Sequence, residues 1–201
     1  EGNDLVDVVL TTGESEICFV TREGMCLRCV ETDIRAMGRG AAGVRGIRLE
    51  EGDRLVALTT VEPGTQLLVV SENGLGKRTP FEDYRLINRG GKGVKTISIT
   101  EKTGKVVKAM AVRDDDELML ITSTGQNVRI RVGGEKGIRE TGRVAQGVKL
   151  MDLQGGETIQ DVSTVISDSD DEEEESGEAP EDTVSDAAPD SPDITPDEDA
   201  K

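Results

Sequence analysis

Residues 67–79 read LLVVSENGLGKRT: an apolar run, an Asn-Gly corner and a second run. Asn-Gly between two such runs is the strongest short-range hairpin signal, because both corner residues must accept positive φ. The same pattern stands at 17–30 as ICFVTREGMCLRCV and at 118–130 as LMLITSTGQNVRI, with Glu-Gly and Thr-Gly corners. Gly24, Gly74 and Gly125 lie 50 and 51 residues apart. The chain therefore repeats a unit of about fifty residues.

Each hairpin is followed by a loop rich in glycine and arginine: GRGAAGV at 38–44, NRGGKGV at 88–94 and GRVAQGV at 142–148. VRGIRL, VKTISI or VKLMDL comes next, then a further run such as RLVALTTV or VVKAMAV. Val, Ile, Leu and Thr dominate, as half-buried pleated positions prefer. The expectation is an all-β fold of propeller-like units, about four strands each, every unit closing its apolar face on the next. EGNDLVDVVL at 1–10 aligns with EGDRLVALTT at 51–60. Residues 1–12 are therefore expected to end a preceding unit, with units at 13–62, 63–114 and 115–165. Such a chain is expected to be cut from a longer array with further blades upstream.

Composition changes abruptly near Val165. From Ile166 to Lys201 there are sixteen acidic residues, one lysine and no aromatic side chain. That stretch buries too little apolar area to offset chain entropy, so 166–201 is expected to be a disordered acidic tail. It carries −15 of the net −17, which leaves the repeats near neutral. The low pI thus says nothing against a basic face on the folded part. Two roles suit the tail: a solvating segment, or a tethered competitor in which Asp168 to Glu175 occupy that basic face.

The loops carry such a face. Arg35, Arg39, Arg45 and Arg48 in the first unit, and Arg85, Arg89, Lys92 and Lys95 in the second, have no acid between first and last. Arg139, Arg143 and Lys149 follow in the third, with Glu140 among them, and Lys77, Arg78, Arg129 and Arg131 extend the stripe from the hairpins. Gly40, Gly43, Gly90, Gly91, Gly93, Gly142 and Gly147 are expected to let backbone amides approach phosphate without a Cβ in the way. One such cluster alone could be an ordinary solvated face. Recurrence in phase with the repeat favours a track for a long polyanion. Bending 20 to 30 base pairs of DNA through 40 to 90° costs on the order of 1 to 6 kcal/mol, so cations at regular intervals are what a wrapped duplex needs. Phosphate contacts fix position without reading sequence.

Other motifs lead nowhere. Gly38–Gly43 matches G-x-G-x-x-G, yet a dinucleotide site needs a helix directly after it and VRGIRL follows. Cys26 and Cys29 form C-x-x-C, but the chain has no histidine and only one further cysteine, Cys18. Three thiols in such a chain fit a reducing cytosol and buried packing better than zinc or redox chemistry. Tyr84, the single tyrosine, has no base beside it and reads as a packing residue with Phe81 and Leu86. Asp114 to Glu117 lacks calcium-loop spacing and reads as a solvated turn. No metal site and no catalytic residue emerges.

KRTPFEDYRLINRGGKGVKTI at 77–97 and GQNVRIRVGGEKGIRETGRVAQGVKLMDL at 125–153 resemble blades of the C-terminal DNA-wrapping domain of DNA gyrase A subunits. The likeness runs through residue 165 or so, and some gyrase A chains also end in an acidic tail. It implies a six-bladed β-pinwheel whose basic outer edge bends double-stranded DNA. It also implies a non-catalytic part of a type II topoisomerase, which introduces negative supercoils in an A2B2 assembly with the gyrase B subunit. ATP and Mg²⁺ belong elsewhere in that enzyme, no cofactor is implied in this segment, and the location implied is the bacterial cytoplasm at the nucleoid. The family's heptad Gln-Arg-Arg-Gly-Gly-Lys-Gly is matched at five of seven positions by Ile87 to Gly93. That departure leaves open the related topoisomerase IV A subunit, whose C-terminal domain has no strict heptad. A propeller that binds an acidic protein partner also stands as an alternative.

Overall fold

The hairpin at 67–79 forms, by a three-residue loop rather than a two-residue Asn-Gly turn: β4 (Gln66–Ser71) runs antiparallel to β5 (Leu75–Pro80), and the amide of Gly74, whose φ is +80°, closes the loop on the carbonyl of Ser71. A computed structural model of the chain describes residues 4–165. β1 (Glu16–Thr21) with β2 (Met25–Val30), and β8 (Glu117–Thr122) with β9 (Asn127–Arg131), make the corresponding hairpins. A long strand lies beside the first strand of each: β3 (Leu55–Val61), β7 (Val106–Val112) and β11 (Ile159–Val165). Each of these pairings shifts register once, at Val20/Thr21, Val70/Ser71 and Ile159/Asp161, so even the irregularity is periodic.

The fourth strand is borrowed. β6 (Val94–Lys95) pairs with β2, and β10 (Val148–Lys149) pairs with β5, giving the sheet orders β3-β1-β2-β6 and β10-β5-β4-β7. Each outer strand comes from the unit that follows in sequence. The expected four strands per unit are there, but they are shared between neighbours rather than kept within one unit. Among the described residues the third sheet, β11-β8-β9, has three strands.

Sheets pack face to face, so the hairpin strands are buried on both sides and read as continuous apolar runs. In β4, Leu67 and Val69 enter one core with Cys18, Val20, Tyr84 and Ile97 of the flanking strands and loops. Leu68 and Val70 point the other way, into a second core with Leu118, Leu120, Ile138 and Ile159. All four β4 side chains are fully buried, and each contributes about 1.5–3 kcal/mol on the usual scale for such burial. A third cluster, Ile17, Phe19, Leu27, Cys29 and Ile47, covers the opposite side of the first sheet. On the far side of the third sheet Ile121 is 39% exposed.

The acidic segment expected to be disordered, 166–201, lies outside the described residues. None of their helices is long and apolar enough to cross a membrane.

Candidate nucleic-acid interface

Sheet order decides where the loop cations stand. β3 and β7 pack against one another at the inner edges, and β6 and β10 form the outer edges. Lys95 and Lys149 sit on those outer strands with their side chains exposed, and Arg45, exposed too, holds the same phase in the first unit. Cations therefore recur on the outer margin at one per unit.

Of the fifteen cations expected to form the stripe, Arg35, Arg39, Arg45, Arg48, Arg85, Lys95 and Arg139 are exposed and have no side-chain partner among the described residues. Four more are exposed but paired: Lys92 with Glu50 at 2.6 Å, Arg129 and Arg131 with Glu117, and Lys149 with Asp152. Such pairs contribute about 0–1 kcal/mol. The Arg129–Glu117 and Arg131–Glu117 contacts hold the Glu117 carboxyl below its usual range, with the hydrogen bond from Arg129 the largest cause.

The remaining four do structural work, and two of them correct the expectation outright. Lys77 is fully buried, with its ammonium 2.7 Å from the carbonyl oxygen of Gly142 and 2.5 Å from that of Arg143. Burial lowers its pKa to about 8. Arg78 has a side chain only 13% exposed; it pairs with Asp114 and donates to the carbonyl of Ile138 at 2.6 Å. Neither stands free at the surface. Both lie on β5 under the next unit's loop, where a strand-alternation reading had no means of seeing a cover.

Arg89 is half-buried and donates to the carbonyls of Asp33 at 2.7 Å and Arg45 at 3.1 Å. Arg143 repeats that contact one unit on, reaching the carbonyl of Lys95 at 3.3 Å. The phase shared by Arg39, Arg89 and Arg143 is thus a joint between successive loops, and Arg89 and Arg143 serve the margin chiefly by fixing its geometry. Arg39 is exposed.

The glycines divide in the same way. Gly40, Gly43 and Gly142 have open space where a Cβ would sit. Gly90 and Gly91 have ordinary contacts, with Arg45 and Leu27 respectively. At Gly93 and Gly147, with φ of +76° and +87°, a Cβ would lie 2.4 Å from the carbonyl oxygen of Cys26 and 2.5 Å from that of Gly76. These two glycines seat one unit's outer strand on its neighbour's hairpin, so at them the close approach is to protein rather than phosphate.

One arginine that fastens neighbouring units escaped the sequence reading. Arg28 pairs with Glu16 and donates to the carbonyls of Phe81 at 2.7 Å and Tyr84 at 3.2 Å. The signal was present: Arg28, Arg78 and Arg129 lie 50 and 51 residues apart. Tyr84 is buried, with its hydroxyl 2.5 Å from that of Thr96, and Cys18, Cys26 and Cys29 are buried free thiols. No group of acidic or cysteine side chains suited to a metal ion occurs among the described residues.

Comparison with known proteins follows the same repeat. A family model described as the DNA gyrase C-terminal domain, β-propeller, matches residues 15–62, 65–113 and 116–166. The DNA gyrase A protein of Mycolicibacterium smegmatis is 40% identical over 161 residues, 79% of this chain and 19% of that protein. The DNA gyrase A protein of Escherichia coli is 38% identical over 173 residues, 86% of this chain and 19% of that protein. The chain thus spans about a fifth of these relatives. Among solved structures, a DNA gyrase A C-terminal domain superposes with a TM-score of 0.71 at 30% identity, covering 78% of this chain and 52% of the other. The C-terminal domain of a DNA topoisomerase IV gives 0.75 at 27% identity, covering 82% and 51%. With three matched repeats in the positions that its hairpins mark out, this chain belongs to the DNA gyrase C-terminal domain family of β-propellers.

Proposed function

We propose that this chain binds double-stranded DNA without regard to sequence and bends it around the outer margin of the stacked sheets. The observation that carries the reading is the placement of Arg45, Lys95 and Lys149 in one phase at that margin, with Arg35, Arg48, Arg85 and Arg139 exposed in the loops around them. A cation on every unit offsets the bending cost stepwise, and contacts to phosphate give no base preference. Family membership supports the same reading. The chain would act as part of a gyrase A protein, in an assembly with the gyrase B protein that supercoils DNA negatively at the expense of ATP bound with Mg²⁺ elsewhere. Its setting would be the bacterial cytoplasm. The topoisomerase IV match supports a second reading, in which the same margin serves that enzyme, but the gyrase A proteins aligned over most of this chain favour the first.

Mobility shift with duplexes of increasing length tests the proposal. Affinity should grow with length until the margin is covered, and nicked circles religated with the protein bound should change linking number. With about six phosphates neutralised, affinity should fall roughly 10³-fold between 50 and 200 mM salt. Arg45→Glu with Lys95→Glu should abolish the linking-number change. Length-independent binding with unchanged linking number would leave a protein-binding propeller as the better reading.

A further inference from the structure

We propose that the turn at 142–145, in the third loop, is a main-chain seat for a phosphate group, backed by the buried ammonium of Lys77. The inference rests on the reading above only in giving that phosphate to a bound duplex. It adds a contact made by amide groups rather than by surface cations.

Four consecutive carbonyls of this loop are held by side-chain donors of the second unit. The hydroxyl of Thr79 donates to Thr141 at 2.8 Å, the ammonium of Lys77 to Gly142 at 2.7 Å and to Arg143 at 2.5 Å, and the hydroxyl of Ser98 to Val144 at 2.7 Å. In a trans peptide the N–H points opposite to the C=O of the same plane. The amides of Gly142, Arg143 and Val144 share planes with the first three carbonyls, so they point away from those donors. None of the three has an acceptor among the described residues, and the amide of Ala145 closes the turn on the carbonyl of Gly142. Successive amides left free in such a turn make an anion-binding concavity. Gly142, Arg143, Val144 and Ala145 line a shallow hollow open to solvent, with Asp83 as its acidic wall.

What lies beneath the turn calls for an anion. Lys77 is fully buried, and its ammonium has two carbonyl partners but no paired carboxylate among the described residues. Arg143 brings a second cation near it, and Asp83 is the carboxylate that acts on it from the surface. A buried charge without a counter-ion is costly. The fold does not require one here, since Leu27 fills the equivalent place and packs under Gly91 of the second loop. The exchange has a counterpart at the surface: the second loop carries Lys92 over Leu27, and the third carries Gln146 over Lys77. The charge is kept from loop to loop but moved beneath the turn. A cation bonded to carbonyls polarises their peptide groups and strengthens the N–H as donor. The second loop cannot use its turn in this way, because the amide of Gly90 is taken by the carbonyl of Gly46.

A following unit does not cover such a turn. Gly90 and Gly91 are the equivalent places in the second loop, with the third unit in position after it. Their nearest neighbours are Arg45 and Leu27 of the first unit and atoms of their own loop.

Heteronuclear NMR of the whole chain tests the seat. The amide resonances of Gly142, Arg143 and Val144 should move to saturation with inorganic phosphate, while that of Gly52, exposed on another loop, stays in place. Lys77→Met, with its thermal melt as the folding control, should weaken phosphate binding about tenfold or more. Asp83→Asn, at an exposed position, should strengthen it about threefold. As pH rises through about 8 the Lys77 charge is lost, so wild-type affinity should fall, with no such step in Lys77→Met. Asp83 and Arg143 are the charged groups near that ammonium, and Val69, its partner across the sheet, is apolar. A short duplex should shift the same three amides. Amides unmoved by phosphate, or phosphate binding indifferent to pH and to both variants, would overturn the seat. A duplex that binds and leaves the three amides unmoved would overturn it too, with the reading of the margin intact. Shifts with phosphate but no binding of the duplex would uphold the seat and overturn that reading instead.

Discussion

The ammonium of Lys77 lies 2.7 Å from the carbonyl oxygen of Gly142, across the boundary between the second and third units. The equivalent position in the first unit is Leu27, an apolar side chain in the same place under the next loop. Burial lowers the Lys77 pKa to about 8, while the unfolded chain keeps that proton to about 10.5. Below pH 8 both states are protonated and the full cost of burying the charge is present. Between these values the unfolded state binds more protons, so stability rises with pH. Relative to Lys77→Met, the wild-type chain should gain about 1.4 kcal/mol per pH unit through that window, read from urea midpoints. A flat difference would show the lysine to be solvated.

Arg28 and Arg129 occupy equivalent positions with unequal surroundings. Arg28, 16% exposed, satisfies two carbonyls of the next unit; Arg129, with no unit beyond it among the described residues, has only its carboxylate partner. Arg28→Ala leaves Glu16 and those carbonyls without their donor and should cost about 2–4 kcal/mol. Arg129→Ala should cost under about 1 kcal/mol. Denaturant unfolding measures both, and equal losses would deny Arg28 its role between units.

Glycines that look alike in the sequence should respond differently to alanine. Gly93→Ala combines positive φ with a Cβ pressed on the Cys26 carbonyl and should lose more than about 2 kcal/mol. Gly142→Ala meets open space and should stay within about 0.5 kcal/mol. Thermal melts of the two variants, compared side by side, decide the matter.

What the sequence disclosed and what it hid follow from one physical distinction. Gly24, Gly74 and Gly125 mark turns, which are local events, so hairpins, unit length and strand content could be read directly. Strand exchange is not local: nothing within VKTISI says whether Val94 pairs inside its own unit or with Cys26 of the one before. The roles of Lys77, Arg78 and Arg89 turn on that exchange, since each is covered or engaged by a neighbouring unit. Cations with no such cover, Arg45, Lys95 and Arg139 among them, stand at the surface as a charge pattern suggests. Charge phase located the margin; it could not separate side chains that face solvent from side chains that fasten one unit to the next.

The three thiols give a prediction with a chemical readout. Cys18, Cys26 and Cys29 are fully buried. A hydrogen bond with Cys26 and burial raise the Cys18 pKa, and burial pushes the Cys29 thiol up to about 11. At pH 8 the thiolate fraction of Cys29 is then about one in a thousand, and thiolate is the nucleophile toward aromatic disulfide reagents. The folded chain should show almost no reactive thiol, and titration of three equivalents should appear only as urea unfolds the first unit. Because Cys29 lies on the face with Phe19 and Ile47, loosening of that cluster should expose it first. Deleting residues 1–11 should therefore speed its labelling less than Phe19→Ala does, since only the latter opens the cluster around the thiol. Prompt labelling of all three in the native chain would show instead that the first sheet opens freely.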